Sequence, residues 1–252
     1  MTSDTELLKK RFIELANKSY NAGIFVFTDF LVLAEQSAFS EIKKEIRGIP
    51  YTAFGGAVGA ERVMIRFGSE EDLGYEVPFP ISVIKAEPVS QKFADKLTHR
   101  DFLGAILNLG IERDTLGDIV ILGKTAYLFT KDTISDYIIE NLTKIRHTDV
   151  VARRTDELPS GELYKTERIT VQVSSERLDA VIARAFCLSR EESSELFCRG
   201  KVFVSGKKTE NISYQPRPDD TISVRGYGRF IYRGYKSTSK KGKLNIEIDK
   251  FI

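Results

Sequence analysis

The stretch that decides the fold is residues 175–208, SERLDAVIARAFCLSREESSELFCRGKVFVSGKK. Its apolar residues first recur at the spacing of one helix face: Leu178, Val181, Ile182 and Ala185. Ser189 and Glu192 then form a capping-box pattern, which predicts the start of a second helix. Gly200 stands where a helix end favours a left-handed residue. Two short helices in succession are therefore expected here.

A short hairpin is predicted directly after the second helix. Val202 and Val204 stand at the alternating positions of a strand, and Ser205-Gly206 suits a two-residue turn. The stretch as a whole predicts helix, loop, helix, strand and tight turn in one compact unit.

The charges on this unit indicate a polyanionic partner. Arg177 and Arg190 stand at the two helix starts, where the helix dipole disfavours a cation by about 0.3–1 kcal/mol. Further cations follow at Arg199, Lys201, Lys207 and Lys208. The alternative is a solvated surface with local partners at Glu176, Glu191 and Glu192. Charge alone leaves both interpretations open.

Four short motifs occur in order in this stretch: Arg177-Leu178-Asp179, Ser189-Arg190, Arg199-Gly200-Lys201-Val202 and Val204-Ser205-Gly206-Lys207. They resemble the RNA-binding domain named after small-subunit ribosomal protein S-four. The resemblance covers roughly residues 175–235 and implies that two helices and a hairpin present side chains to RNA. Ser205 departs from the family, which more often has Asn there, but the turn chemistry of the two residues is similar.

Composition limits the classes of function. The 252 residues are 42% hydrophobic and 29% charged, as in a globular protein of two or three small domains. Net charge is only +2, yet residues 176–252 carry 16 Lys or Arg against 10 Asp or Glu. The C-terminal third is therefore the expected polyanion-binding part.

Targeting and redox features favour a cytoplasmic protein without a membrane segment. The start, MTSDTELLKKRF, lacks the basic and apolar regions of a signal peptide, and the apolar patch Gly23–Phe27 is too short to span a bilayer. Cys187 and Cys198 are the only cysteines, and we interpret them as small core residues in a reducing compartment.

Residues 1–77 are expected to form a helical module, since apolar residues recur on one side of 4–20 and again within 29–48. The run that follows is Phe54-Gly55-Gly56-Ala57-Val58-Gly59-Ala60-Glu61-Arg62. It has neither the glycine spacing of a dinucleotide fingerprint nor the lysine of a Walker A loop, so no cofactor is expected. We interpret it as a tight connection into a strand at 62–67; phosphate binding by its backbone stays open.

Residues 78–158 show a distinctive order of predicted elements. Strands are expected at 81–86, 118–122, 126–130 and 149–153, with helices at 99–110 and 134–145. This is the ferredoxin-like order, which RNA-recognition motifs (RRM) share. Tyr127 and Phe129 alternate onto one face of the third strand, where such a motif carries stacking aromatics. The alternative is that both side chains face the core.

Three runs in this middle segment carry a second resemblance: Leu97-Thr98-His99-Arg100-Asp101-Phe102-Leu103-Gly104, Gly110-Ile111-Glu112-Arg113-Asp114 and Gly117-Asp118-Ile119. With Gly55-Gly56 and Ala60-Glu61-Arg62 they resemble YlmH-type RNA-binding proteins, which append an S-four domain at the C-terminus. Ala57-Val58 departs from the family, which usually has an aromatic there. The resemblance implies a bacterial factor on the large ribosomal subunit that still carries a peptidyl-tRNA after stalling, in ribosome-associated quality control. A cell-division association is also attached to the family.

Catalytic signals are weak, and we expect no enzyme. His99, Arg100 and Asp101 offer a base, a cation and an acid, but consecutive helical residues point about 100° apart and do not converge. His147 is isolated, so no metal cluster is predicted. An RNA-modifying enzyme anchored by the S-four domain (a pseudouridine synthase or methyltransferase) and a protein-interaction adaptor remain the alternatives.

A polar linker is predicted at residues 155–161, which end in Pro159-Ser160-Gly161, and the S-four-type domain is expected at 170–252 with a basic C-terminal hairpin. Aromatics and cations interleave in 227–236, and no acid occurs between Arg225 and Lys243. This composition suits base stacking and phosphate neutralisation. The alternative is a hairpin that packs its aromatics inward, and both can hold on opposite faces.

The sequence thus predicts an α+β protein of three parts: an N-terminal helical module (1–77), a ferredoxin-like, RRM-like middle domain (78–158) and an S-four-type domain (170–252). The expected function is non-catalytic binding of structured ribosomal RNA, with the large ribosomal subunit and peptidyl-tRNA as implied partners. The oligomeric state is not given; a monomer is expected. The expected RNA-binding residues are Arg177, Ser189, Arg190, Arg199, Lys201, Lys207, Lys208, Arg225, Arg229 and Arg233.

Overall fold

A computed structural model describes residues 2–92, 94–158 and 163–251. The Pro159, Ser160 and Gly161 of the predicted linker lie outside the described residues. The chain forms two compact units, Met1–Glu35 with Glu41–Leu163, and Gln36–Ser40 with Tyr164–Ile252. The boundary expected at residue 78 falls inside the first unit, so the three-part division remains a prediction.

The N-terminal part of the chain combines helices with a small sheet. Its elements are α1 (Thr2–Ala22), β1 (Val26–Phe27), α2 (Leu33–Glu41), a 3-10 turn (Ile42–Lys44), β2 (Tyr51–Phe54), β3 (Met64–Phe67) and α3 (Glu70–Leu73). The strands pair antiparallel in the order β1-β3-β2. Apart from β3, this sheet was not predicted, because strands of two to four residues are too short to show a clear alternation.

The middle segment has the predicted ferredoxin-like topology. Its elements are β4 (Ile81–Pro88), α4 (His99–Asn108), a 3-10 turn (Arg113–Thr115), β5 (Leu116–Leu122), β6 (Thr125–Lys131), α5 (Asp132–Asn141), β7 (Lys144–Ile145) and β8 (Thr148–Arg154). The antiparallel sheet has the order β5-β6-β4-β8-β7. Phe102 and Ile106 of α4 and Ile138 of α5 are buried in one core with the sheet residues Ile84 and Leu128.

The opposite face of this sheet is covered by the N-terminal part of the chain. Phe129 is 1% exposed, and it pairs in register with Val83, on the face away from the helices. A Cβ added at Gly56 would lie 2.4 Å from the Phe129 ring, so the glycine-rich loop rests directly on it. Tyr127 is buried as well. Both aromatics are therefore core residues, and the stacking role of an RRM does not apply to them.

The second unit is a six-stranded antiparallel sheet with two helices. Its elements are β9 (Thr166–Val173), α6 (Leu178–Ala185), α7 (Arg190–Cys198), β10 (Val202–Val204), β11 (Lys207–Lys208), β12 (Thr221–Val224), β13 (Gly228–Thr238) and β14 (Leu244–Phe251). The strand order is β11-β10-β12-β13-β14-β9. Leu178 and Ile182 of α6 and Phe197 of α7 are buried in one core with Phe230 and Ile246 of the sheet. The predicted helix–helix–hairpin order is thus confirmed, and the α+β class with it.

The cysteines are not in the core, which corrects the sequence-based interpretation. Cys187 and Cys198 are both free and exposed. Cys187 follows the end of α6 and has a φ of 57°, a left-handed position outside the helical periodicity. Cys198 is the last residue of α7 and falls off its buried face. An apolar residue type at a helix end was therefore a poor guide to burial.

The C-terminal hairpin has one face in the core and one in solvent. Phe230 and Tyr232 of β13 are buried with Ile248 of β14, whereas Tyr227 and Tyr235 are exposed. The inward packing considered for this segment is therefore confirmed, and RNA binding by the exposed face stays a prediction, because side chains on a strand alternate between faces.

Candidate nucleic-acid interface

A groove of about 380 Å³ lies where α6, the start of α7 and the ends of β9 and β14 meet. Its described lining includes three cations and no carboxylate: Gln172, Val173, Ser174, Ala180, Ala183, Arg184, Leu188, Ser189, Arg190 and Lys243. We call it the basic groove. Arg184, Arg190 and Lys243 come from three different elements, so the fold assembles this positive charge from distant parts of the chain.

Ser189 positions Arg190 by capping α7. The Ser189 hydroxyl accepts a hydrogen bond from the Glu192 backbone N–H at 3.1 Å, and the Glu192 carboxylate accepts one from the Ser189 N–H at 2.8 Å. Hydrogen bonding of the carboxylate to the Ser189 backbone N–H, followed by that to the Ser189 side chain, lowers the pKa of Glu192. The predicted capping box is therefore present, and it places Arg190 as the first residue of the helix.

Arg177 and Arg190 share one buried carboxylate, that of Asp179. Arg177 binds it in a two-pronged way, with its Nε 3.0 Å from Oδ1 and its Nη2 3.3 Å from Oδ2. Arg190 reaches Oδ2 through its Nη2 at 3.1 Å. The Asp179 side chain is only 4% exposed, whereas that of Arg190 is 56% exposed. Neither the polyanionic-partner interpretation nor the solvated-surface interpretation of these two arginines included Asp179 as a partner.

The shared carboxylate orients the two arginines but does not occupy all of their N–H donors. A guanidinium has five N–H donors, and Arg190 uses one of them on Asp179 among the described hydrogen bonds. Asp179 is itself fixed, because its backbone carbonyl accepts a hydrogen bond from the buried Ser193 hydroxyl of α7 at 2.8 Å. The arrangement holds an exposed guanidinium at the edge of the basic groove with donors left for an external anion.

The other predicted residues lie outside the groove lining, and most have partners of their own. Arg199 pairs with Glu195 at 2.6 Å and Lys208 with Glu210 at 3.0 Å. Lys207 is exposed and Lys201 is half-buried. The structure therefore groups Ser189, Arg190 and, through Asp179, Arg177. The lining of the basic groove does not include Arg199, Lys201, Lys207 or Lys208.

Two of the hairpin arginines are stacked on aromatic rings. The Arg225 guanidinium lies 5.1 Å from the centroid of the Phe203 ring. That of Arg229 lies 4.0 Å from the Phe251 centroid and 4.9 Å from that of Tyr164. Stacking of this kind fixes a guanidinium while its edge remains able to donate hydrogen bonds.

Arg233 is committed to an ion-pair cluster. Its Nε lies 2.6 Å from Oδ2 of Asp249, and its Nη1 also pairs with Asp219. Arg168 donates to both oxygens of the same Asp249, which is 7% exposed. The hydrogen bond from Arg168, followed by that from Arg233, lowers the pKa of Asp249 to about 2. An RNA contact by Arg233 stays a prediction, but its main contacts are internal.

Sequence reasoning did not select two of the three cations in the groove. Arg184 is seven residues after Arg177, so both fall on similar sides of a helix, and that spacing was an available signal. Lys243 ends the acid-free run that starts at Arg225, but only the tertiary fold brings it beside α7.

The glycine-rich loop is anchored by Arg62, which is 6% exposed. The Arg62 side chain donates to the carbonyls of Leu116, Phe30 and Arg113 at 2.7, 3.0 and 3.0 Å. Burial, more than the neighbouring charge of Arg113, lowers the pKa of Arg62 to about 10. Asp118 also accepts the backbone N–H groups of Glu61 and Arg62 at 2.7 and 3.0 Å. The Arg62 side chain and the two backbone N–H groups therefore donate within the fold, and they fix the end of the loop at Arg62 in place.

His99 and Asp101 have structural surroundings. The Asp101 carboxylate accepts hydrogen bonds from the Thr98 hydroxyl and N–H at 2.7 and 2.8 Å, which lowers its pKa and caps α4. Partial burial, followed by the charge of Arg113, lowers the pKa of His99. In the described part of the chain, no group of three or more His, Cys, Asp or Glu side chains is placed to hold a metal ion.

No described helix is both long and apolar enough to cross a membrane.

Known proteins resemble parts of this chain in sequence. Residues 76–158 match the family model described as "Putative RNA-binding domain in YlmH". The chain is 29% identical over 231 residues to the "Ribosome-associated protein quality control protein P2" of Bacillus subtilis (strain 168), covering 88% of this chain and 86% of that protein. The resemblance to YlmH-type proteins is therefore confirmed.

The C-terminal part matches a ribosomal protein over a shorter length. It is 35% identical over 74 residues to the "Small ribosomal subunit protein uS4" of Kosmotoga olearia, which covers 29% of this chain and 36% of that protein. The resemblance to the S-four domain is confirmed by this match. A solved structure described as "Cell division protein ylmH from Streptococcus pneumoniae" superposes with a TM-score of 0.49 at 20% identity, over 60% of this chain and 91% of that chain.

Proposed function

We propose that this protein binds structured ribosomal RNA without catalysis, and that the basic groove is its main RNA contact. The observation that carries the proposal is the meeting of Arg184, Arg190 and Lys243 around a groove whose described lining holds no carboxylate. Phosphate oxygens are the natural ligands of such a cluster, because guanidinium and ammonium groups bind them through charge-assisted hydrogen bonds.

The shared carboxylate of Asp179 supports the proposal. Arg190 would otherwise lose rotamer entropy when it binds RNA, and its bond to Asp179 at 3.1 Å restricts the side chain beforehand. Arg177 is held by the same carboxylate. Two partly exposed guanidiniums fixed beside a groove form a surface complementary to a folded RNA backbone rather than to a flexible single strand.

The comparisons support a ribosomal setting. The Bacillus subtilis relative is named a ribosome-associated quality control protein, and the C-terminal match is to a protein of the small ribosomal subunit. We infer from them that this chain associates with ribosomes in the cytoplasm. The finer proposal is that it acts on large subunits that still carry a peptidyl-tRNA after stalling, as the YlmH resemblance implies. None of these names describes an enzyme, which supports a binding role.

Sedimentation of the tagged full-length protein from growing cells tests the ribosomal setting. We expect the protein to travel with free large subunits, and it should leave them when the salt concentration is raised. Sedimentation at the top of the gradient under all conditions would contradict a ribosomal role. Sedimentation with small subunits alone would contradict the finer proposal only.

Binding of purified full-length protein to large-subunit ribosomal RNA tests the groove. If about five phosphates are neutralised, the slope of log affinity against log salt should be on the order of −4. The variant Arg184→Ala/Arg190→Ala/Lys243→Ala should bind far more weakly and with a shallower slope. A charge-matched control is Lys10→Ala/Arg11→Ala/Lys18→Ala on the exposed side of α1, which should bind like the parent. Equal losses in both variants would show that net charge, not the groove, determines binding.

A further inference from the structure

A second basic site lies on the helix side of the ferredoxin-like sheet. A shallow cleft of about 490 Å³ is formed by α4, the end of α5 and the β7–β8 turn. Its polar lining is provided chiefly by Arg100, Asn108, Asn141, Lys144 and Arg146, with Gly104 between them. We call it the helix-side cleft. None of its cations was among the residues expected to bind RNA.

The cleft carries net positive charge. Arg100 has no ion-pair partner in the described part of the chain, and Lys144 reaches Asp149 only at 3.8 Å. The carboxylate in the lining is that of Asp101, which already accepts two hydrogen bonds from Thr98 in the cap of α4. Three cations therefore line the cleft beside one carboxylate, which is shared by the Thr98 cap and Arg146, and the remaining excess of positive charge favours an anionic ligand.

The turn that presents Arg146 has an unusual backbone. Arg146 has a φ of 54° in the tight connection between β7 and β8, a conformation that residues other than glycine rarely adopt. Its guanidinium Nε lies 3.5 Å from Oδ1 of Asp101, which holds the side chain over the cleft. A glycine or asparagine would adopt this left-handed backbone conformation with less strain, so the arginine at this position indicates a role for its side chain.

The sheet face is not available for the same purpose. Phe129 lies under the glycine-rich loop at Gly56, and Tyr127 is buried, so the two aromatics that could stack on bases are covered. Any nucleic-acid contact by the middle segment must therefore use another surface. The helix-side cleft is a basic surface of this segment that remains open to solvent.

We propose that the helix-side cleft binds the phosphodiester backbone of RNA, as a second contact that is independent of base stacking. This inference rests on the proposed RNA-binding function. Guanidiniums and an ammonium would bind phosphate oxygens, and the side-chain amides of Asn108 and Asn141 can hydrogen-bond to ribose hydroxyls. Contacts of this class position an RNA without reading its sequence.

The test measures binding of the full-length protein to purified large-subunit ribosomal RNA over a range of salt concentrations. Arg100→Ala and Arg146→Asn each remove one cation, and asparagine accepts the left-handed turn. We expect each to reduce affinity about tenfold and to make the log–log salt slope shallower by about 0.9. The matched control is Arg153→Ala, an exposed arginine of β8 that pairs with Glu87 outside the cleft and should change neither quantity.

The outcomes separate this inference from the proposed function. If Arg184→Ala in the basic groove weakens binding but the two cleft variants match Arg153→Ala, the cleft proposal is overturned and the proposed function stands. If neither site affects RNA binding, both fail. Binding of polyglutamate that is lost in Arg100→Ala, with RNA binding unchanged, would identify an acidic protein partner and also overturn the proposal.

A photo-crosslinking amino acid at position 108 gives an independent readout. It should crosslink to the RNA, whereas the same group in place of the exposed Glu140 should not. Thermal unfolding of each variant checks that Arg146→Asn has not disturbed the turn. Absence of a crosslink at position 108, with binding intact, would contradict the cleft proposal.

Discussion

Arg190 donates to the buried carboxylate of Asp179 across 3.1 Å, from the first turn of α7 to the first turn of α6. The bond links the two helices that form the basic groove, and Arg177 donates to the same carboxylate. It also compensates a cation at a helix start, which the helix dipole disfavours. The Arg190 side chain, which is expected to bind RNA, therefore also holds α7 to α6.

We first predict that Arg190→Ala affects both stability and RNA binding. A helix-start arginine considered alone should cost nothing to remove, but here the change takes one partner from a nearly inaccessible carboxylate. Because Arg177 still binds both oxygens of Asp179, the loss of stability should be modest, about 1 kcal/mol. RNA affinity should fall about tenfold to a hundredfold, the equivalent of about 1.5–3 kcal/mol for a charge-assisted contact.

Thermal unfolding beside RNA binding checks that prediction. Arg190→Lys keeps the charge but loses the planar fork, so it should recover part of the affinity. Full RNA binding by Arg190→Ala would make Arg190 purely structural, and the RNA surface would have to be placed elsewhere.

The second prediction concerns acid stability and Asp249. Its pKa is about 2 in the folded protein, below the ordinary value of 3.8, because Arg168 and Arg233 stabilise the carboxylate. A depressed folded pKa contributes stability above the unfolded pKa, and that stability is lost as the pH falls through the folded value. We expect a loss on the order of 1–2 kcal/mol between about pH 4 and pH 2, after allowance for solvent screening at the exposed arginines.

Chemical denaturation across that pH range measures the effect, with Asp249→Asn as the comparison. The variant should be less stable than the parent at neutral pH, and its stability should vary less between pH 4 and pH 2. Parallel curves for the two proteins would contradict the assignment.

The third prediction uses two glycines with the same backbone angle. Gly56 and Gly48 both have a φ of 93°, so alanine is strained at both positions. A Cβ at Gly56 would lie 2.4 Å from the Phe129 ring, whereas at Gly48 nothing lies within 4 Å. Gly48→Ala should cost about 1 kcal/mol, and Gly56→Ala should cost at least about 2 kcal/mol more, because the ring must move. Equal unfolding free energies for the two variants would show that the loop does not press on Phe129.

How far the sequence predicts this molecule depends on the range of each interaction. The helices α6 and α7, the cap at Ser189 and the turn at Gly206 follow from spacings of a few residues, and these were predicted correctly. The groove could not be predicted in full, since Lys243 reaches α7 only through pairing of β14 with β13 and β9. The burial of Phe129 likewise depends on a loop more than 70 residues earlier in the chain.

The partner of Arg190 shows a subtler limit. Glu191 and Glu192 are adjacent in sequence and, with Glu176, were the local partners in one of the two interpretations, but Glu192 is used in the cap of α7. Asp179, eleven positions away, takes their place because α6 packs against α7. Local charge counts cannot decide between such partners, whereas the packing of the two helices does.

The last prediction concerns Arg184, a groove cation that makes no ion pair in the described part of the chain. It lies in the last turn of α6, where a cation is favoured by the helix dipole by about 0.3–1 kcal/mol, and alanine has a slightly better helix propensity. These two terms nearly cancel, so Arg184→Ala should leave the unfolding free energy within about 0.5 kcal/mol of the parent. RNA affinity should nevertheless fall about tenfold, because one phosphate contact is lost. Arg184→Glu should bind more weakly still, since it places repulsion in the groove. Arg184 thus separates function from stability more cleanly than Arg190, whose removal disturbs Asp179. Salt-dependent RNA binding and thermal unfolding of both variants provide the measurement. An Arg184→Glu protein that is stable and binds RNA like the parent would remove the basic groove from the RNA interface.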